Sequence, residues 1–199
     1  METQADSNFQ IGWVLALAVA LLSGSLYSGY RYKHANDLRD AQEQISAWPA
    51  APRLTAGVMI EKYGPPDRSG PIGLVWFKRG PWKRIVVHQG DLKAPLEQVV
   101  DYDLRPQGLE SLRAFGHGIV VDPDNDELSA QSESESKNFL ALNLADEVAS
   151  GGTDLQQAQN AYDRTADLAE SGKSSAYTQG LLFQRQGEIP SPLVKDINY

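Results

Sequence analysis

Hydrophobic positions in this chain fall into one long run followed by short periodic stretches. The run is Ile11 to Tyr30, twenty residues without a charge, or about 30 Å as a helix, which matches the hydrocarbon core of a bilayer. Residues 32–46 then hold no breaker and carry Leu38, Ala41 and Ile45 on a thin apolar face, which predicts a helical stalk ended by Trp48-Pro49. Ala50-Ala51-Pro52 reads as the hinge into a soluble domain. Arg53 to Tyr63 reads as a helix with Leu54, Val58, Met59 and Ile60 inward, Gly64 as its left-handed cap, and Pro65-Pro66 as a stop.

The period then changes from about 3.6 to 2. Gly73–Phe77 and Arg84–His88 read as strands of a hairpin around Gly80-Pro81, and Val99–Leu104 as a half-buried strand. A short helix from Pro106 to Phe115 precedes a second hairpin, Ile119–Val121 and Glu127–Gln131, turned by the acidic segment from Asp122 to Asp126. Asn138–Ala149 is the clearest helix, with Leu140, Leu144 and Val148 four apart and Gly151-Gly152 stopping it. Thr153 with Gln156 reads as a capping box opening another helix that carries Leu155, Ala158, Tyr162 and Ala166. The expected fold is α+β: an antiparallel sheet of about five strands covered by three or four helices. The expected division is a tail over residues 1–10, a membrane span over 11–30, a stalk and hinge over 31–49, a domain over 50–171 and an extended tail over 172–199.

Within the apolar run, Gly12, Ala16, Ala20, Gly24 and Ser28 recur every fourth position, with Ser25 and Gly29 beside them. Such a row lets a second membrane helix approach closely. The plain alternative is a segment rich in small residues throughout, since nine of its twenty positions are Gly, Ala or Ser. Residues 1–10 contain no Lys or Arg, so the run reads as an uncleaved anchor rather than a signal peptide, although Ser23 and Ser25 resemble a small-residue cleavage site. Arg31, Lys33 and Arg39 follow the run and, by the positive-inside rule, place the domain in the cytoplasm.

A net charge of −8 argues against a nucleic-acid partner. The absence of cysteine removes disulfides, thiolate metal sites and cysteine nucleophiles. His34, His88 and His117 have no ligand spacing among themselves. Asp122, Asp124, Asp126 and Glu133 fall at positions 1, 3, 5 and 12 of a calcium-loop template, but Glu127 stands where the loop needs Gly, and a solvated hairpin turn reads better. No phosphate-cradling Gly-rich loop, nucleophile elbow or HExxH is present, so no enzyme activity and no cofactor are expected. Trp48, Trp76 and Tyr63 read as core or groove-lining residues. Trp82, beside Lys83 and Arg84 just past a Gly-Pro turn, suits an exposed indole on a partner or headgroup surface, although simple packing is the weightier reading.

Several segments have a recognisable wording: Met59–Asp67, Leu74-Val75-Trp76, Gly80-Pro81-Trp82-Lys83-Arg84, Asn138–Ala145 and Tyr177-Thr178-Gln179-Gly180-Leu181. Across residues 48–183 the chain resembles a family of uncharacterised bacterial envelope proteins that begin with a signal peptide or lipid anchor. The resemblance implies a domain outside the cytoplasmic membrane and no reaction. This chain departs from the pattern by its small-residue run and its lack of a lipid-modifiable cysteine. Weighed against three basic residues, the resemblance tips the expected location to the periplasm. The expected function is a non-catalytic, single-pass accessory subunit of a bacterial membrane complex, with respiratory or photosynthetic complexes as candidate hosts. The Gly12–Ser28 stripe would pack on its neighbours' helices. Trp82, Lys83, Arg84 and the tail residues Leu181, Leu182, Phe183, Leu193 and Val194 would meet extrinsic surfaces. The alternative is a stand-alone, membrane-tethered ligand-binding domain with an aromatic-lined groove.

Overall fold

A computed structural model describes residues 36–104 and 108–183. The run 11–30 with its small-residue stripe, His34, Pro106, and tail residues 184–199 lie outside the described residues. Among the described residues, no helix is long and apolar enough to cross a membrane.

Six strands form one antiparallel sheet: β1 (Arg68–Gly70), β2 (Gly73–Arg79), β3 (Trp82–His88), β4 (Leu96–Asp101), β5 (Ile119–Asp122) and β6 (Glu127–Ser132). Their spatial order is β1-β2-β3-β4-β6-β5. The inward row runs unbroken across five strands, Trp76 opposite Ile85, then Gln98, Ala130 and Ile119. Beside it lies Leu74, Val87, Leu96 and Ser132. Gln98 is the one long polar side chain in these rows and is fully buried. β1 was not expected, because Arg68, Ser69 and Gly70 carry no apolar period. It forms because Pro71-Ile72 turn the chain back onto β2. At Gly73, φ is +145° and an added Cβ would lie 1.9 Å from the Val87 carbonyl oxygen, so the turn demands glycine.

Among the described residues five helices accompany the sheet: α1 over residues 36–46, α2 (Ala50–Tyr63), α3 (Leu109–Phe115), α4 (Glu135–Ser150) and α5 (Leu155–Glu170). A 3-10 turn follows at Ala176–Thr178. α4 is the centrepiece. The Ser134 hydroxyl accepts from the Lys137 amide and caps its start, while Gly151 at φ 77°, ψ 15° ends it with Gly152 N–H on the Glu147 carbonyl. Asn138 to Ala145 are all buried, more than a single amphipathic stripe provides, because the sheet, α3, α5 and the 176–178 turn surround the helix.

Several sequence expectations shift at this level. Ala50-Ala51-Pro52 form the first turn of α2 rather than a hinge, and the break in the helices falls at 47–49. Ala41, Ile45 and Trp48 are buried in the core, so α1 is packed onto the domain instead of standing off as a stalk. On α2 the buried face is Pro52, Ala56, Met59 and Ile60, while Leu54 and Val58 are 70% and 56% exposed. Gly64 has a positive φ but an extended ψ of −164°, and its carbonyl accepts from Trp76 Nε1 at 3.0 Å. β4 begins at Leu96, earlier than the alternation at Val99–Leu104 implied, and Val99 and Val100 are both buried. The cap of α5 is Asp154, whose carboxylate accepts from Gln157 N–H at 2.8 Å; Thr153 only meets the Gln157 side chain. Residues 172–183 are not a free extension: Tyr177, Leu181 and Phe183 pack against the core.

Candidate functional site

The most connected side chain on the helix-covered face is Glu135, the first residue of α4. Its carboxylate accepts from Lys62 Nζ and the Tyr63 hydroxyl on α2, from Trp82 Nε1 on β3 at 2.7 Å, and from Gln98 Nε2 on β4 at 3.1 Å. A carboxylate also suits the positive end of α4. Burial opposes ionisation here, yet the hydrogen bonds from Lys62, Tyr63 and Trp82 prevail and hold the Glu135 carboxyl below the usual range. Burial first, then the bond to Glu135, pushes the Tyr63 hydroxyl above its ordinary value. The network continues inward: Gln98 Oε1 accepts from Asn138 Nδ2 at 3.0 Å, and the same amide reaches the Leu96 carbonyl at 3.2 Å.

A groove of about 380 Å³ opens beside this hub. Lys62 and Tyr63 of α2, the turn Gly80-Pro81, Phe139 of α4, and Gln179, Gly180, Leu181 and Phe183 line it. Its outer wall has no regular secondary structure beyond residue 178, and Asn143 fixes it. That buried amide donates to the carbonyls of Tyr177 (3.1 Å) and Gly180 (2.8 Å), and its oxygen accepts from Leu182 N–H at 2.8 Å. Phe183 closes the far end edge-on against Tyr102, with ring centres 5.5 Å apart. A second hollow of about 340 Å³ lies farther along α2, between Leu54, Thr55, Val58 and Met59 on one side and Leu96 and residues 133–136 on the other.

Trp82 is buried, at 1% exposure, and stacks on Phe139 at 4.8 Å, so it offers no exposed indole. Strict alternation would put it on the far face with Arg84. The hairpin end is contorted instead, with Lys78 and Gly80 both at positive φ. Lys83 and Arg84 are tied up on Glu127, and Lys83 also on Asp101. Leu181 and Phe183 line the groove. Of the remaining candidates, His88 Nε2 lies 2.8 Å from Glu97, and His117 stacks on Tyr162 at 3.8 Å. Asp122 accepts from the Asp124 amide and the Asn125 side chain as an ordinary turn, while Glu133 pairs with Lys137. Among the described residues, no group of three or more His, Cys, Asp or Glu is placed to hold a metal ion.

Sequence reading passed over Glu135, Gln98, Asn138 and Asn143. The signal that was available is the pair of asparagines inside the apolar run Asn138–Ala145, since a buried amide on a helix needs partners elsewhere in the fold. Residues far apart in sequence converge here: Lys62, Tyr63, Gly80, Pro81, Trp82, Phe139, Asn143, Gly180 and Leu181 surround the hub and groove. Comparison with protein-family models, curated proteins and solved structures returned no match.

Proposed function

We propose that this chain is a non-catalytic, single-pass accessory subunit of a bacterial membrane complex, with its α+β domain on the periplasmic side. The observation that carries this reading is the docking of α1. Ala41, Ile45 and Trp48 belong to the domain's core, so the helix following the apolar run is packed into the domain rather than hung from it. Such a connection suits a subunit whose domain must hold one orientation over its neighbours; a freely sampling tether has no need of it. The pattern of Glu135 agrees with a structural hub, since its carboxylate faces four donors from three elements. Exposed Leu54 and Val58 on α2 provide apolar surface for a neighbouring subunit. The small-residue stripe Gly12–Ser28 would supply the helix contact within the bilayer. Respiratory and photosynthetic complexes remain the candidate hosts.

Affinity capture of the tagged protein from its own membranes in mild detergent, followed by mass spectrometry, tests the reading. Stoichiometric recovery with other membrane subunits is expected, and Ala20→Leu with Gly24→Leu should abolish it. Recovery of the protein alone would overturn it. The groove between α2 and α4 favours a second reading, a tethered ligand-binding domain.

A further inference from the structure

The groove beside the Glu135 hub has a wall fixed by hydrogen bonds. Its wall at residues 177–182 is tied to α4 by three hydrogen bonds with the buried Asn143 side chain, two donated and one accepted. Gly180 lines the groove. Its φ is not in the left-handed region, and an added Cβ would meet no atom within 4 Å. Neither backbone strain nor crowding requires glycine there, and a side chain at this position would occupy open space at the groove. The volume, about 380 Å³, falls among small-molecule sites, which run from about 300 to 1,000 Å³.

The lining sets the chemistry. Tyr63, Phe139 and Phe183 present rings, and Pro81 and Leu181 present aliphatic surface. The single charged residue in the lining is Lys62, whose side chain is 50% exposed. An ammonium has three donors, and one of Lys62's rests on Glu135. The carboxylate of Glu135 is itself buried behind, at 11% exposure, so the face turned to the groove is that of the cation.

We propose that this groove binds a small amphipathic carboxylate, its aromatic or aliphatic body against Phe139, Leu181 and Phe183 and its anionic head on Lys62. The ammonium then bridges two carboxylates, Glu135 and the ligand, and no bond is made or broken. This assignment rests on the second reading above and is independent of any host complex, which the affinity capture tests separately.

The test uses the full chain in nanodiscs, with phenylbutyrate as the probe and neutral phenylbutanol as its comparison, read by the amide shifts of Gly180 and Leu181. Saturable shifts are expected with phenylbutyrate, at about tenfold tighter binding than phenylbutanol, the scale of one hydrogen bond to a charged group. Lys62→Met should erase that preference while near-UV circular dichroism stays native. Gly180→Leu, which the backbone accommodates, should abolish both while near-UV circular dichroism stays native. Equal binding of the two probes, binding undisturbed by Gly180→Leu, or no saturable shift in the folded wild-type protein would each overturn the proposal.

Discussion

Two glutamates sit at comparable depth in this domain and are held in opposite ways. Glu135, 11% exposed, lies on the helix-covered face and gathers one cation and three neutral donors from α2, β3 and β4. Glu127, 9% exposed, lies in the sheet and takes Lys83 and Arg84 from β3. The difference is in what surrounds the donors. Trp82 and Gln98 are themselves buried, with no route to water if their acceptor is lost. Lys83 and Arg84 keep about a third of their side chains exposed and can rehydrate. A carboxylate's structural weight is set by how well its partners do without it.

Removing each acceptor tests that comparison. Glu135→Ala leaves a buried indole N–H, a buried amide and a phenol without their acceptor, and should cost about 3–5 kcal/mol in denaturant unfolding. The same carboxylate has a sign in pH. Its folded pKa lies below the unfolded value, so its contribution is present above the ordinary carboxylate range, near pH 4.3, and is lost as pH falls through the folded value. Glu135→Gln should therefore flatten the acid limb of the stability profile. Glu127→Ala should cost only about 1 kcal/mol by the same measurement. Equal losses at the two sites would break the comparison.

A smaller effect is expected at His117. Burial lowers its pKa despite the opposing charge of Asp163, so the unfolded chain takes up a proton first. Stability should decline as pH drops below the ordinary histidine value of 6.5. In His117→Leu that decline should disappear, seen as equal melting temperatures at pH 7 and pH 5.5 once the Glu135 contribution is common to both proteins. The smallest stability change belongs to Leu54→Ser with Val58→Ser, within about 0.5 kcal/mol for each exposed position. Under the accessory-subunit reading, the same pair should still lower recovery of partner subunits, separating a surface role from a packing one.

Much of the fold was legible, because Ile85 and Val87 or Leu140 and Leu144 announce their period without knowledge of their neighbours. The hairpin at Gly80-Pro81, the turn before β6 and the glycine stop of α4 follow from local backbone chemistry. What escaped was set by tertiary contact. Leu54 and Val58 are spaced as a core face, yet the sheet takes Ala56 and Ile60. The charged neighbours of Trp82 suit a surface position, and Phe139, 57 residues later, buries it. The hub was illegible for the same reason: Glu135 reads as one more charge in a Ser/Glu stretch until three elements bring donors to it. Asn143 shows a middle case, since its anomaly in an apolar run was visible but its partners at 177–182 were not.

The burial of α1 has a mechanical consequence. A load arriving at residue 36 enters the core through Ala41, Ile45 and Trp48, the last of these buried in the break between the two helices. Packed interiors are stiff and transmit displacement. The domain is thus mounted on its leading helix like a blade on a shaft, and a twist of that helix turns the hub and groove with it.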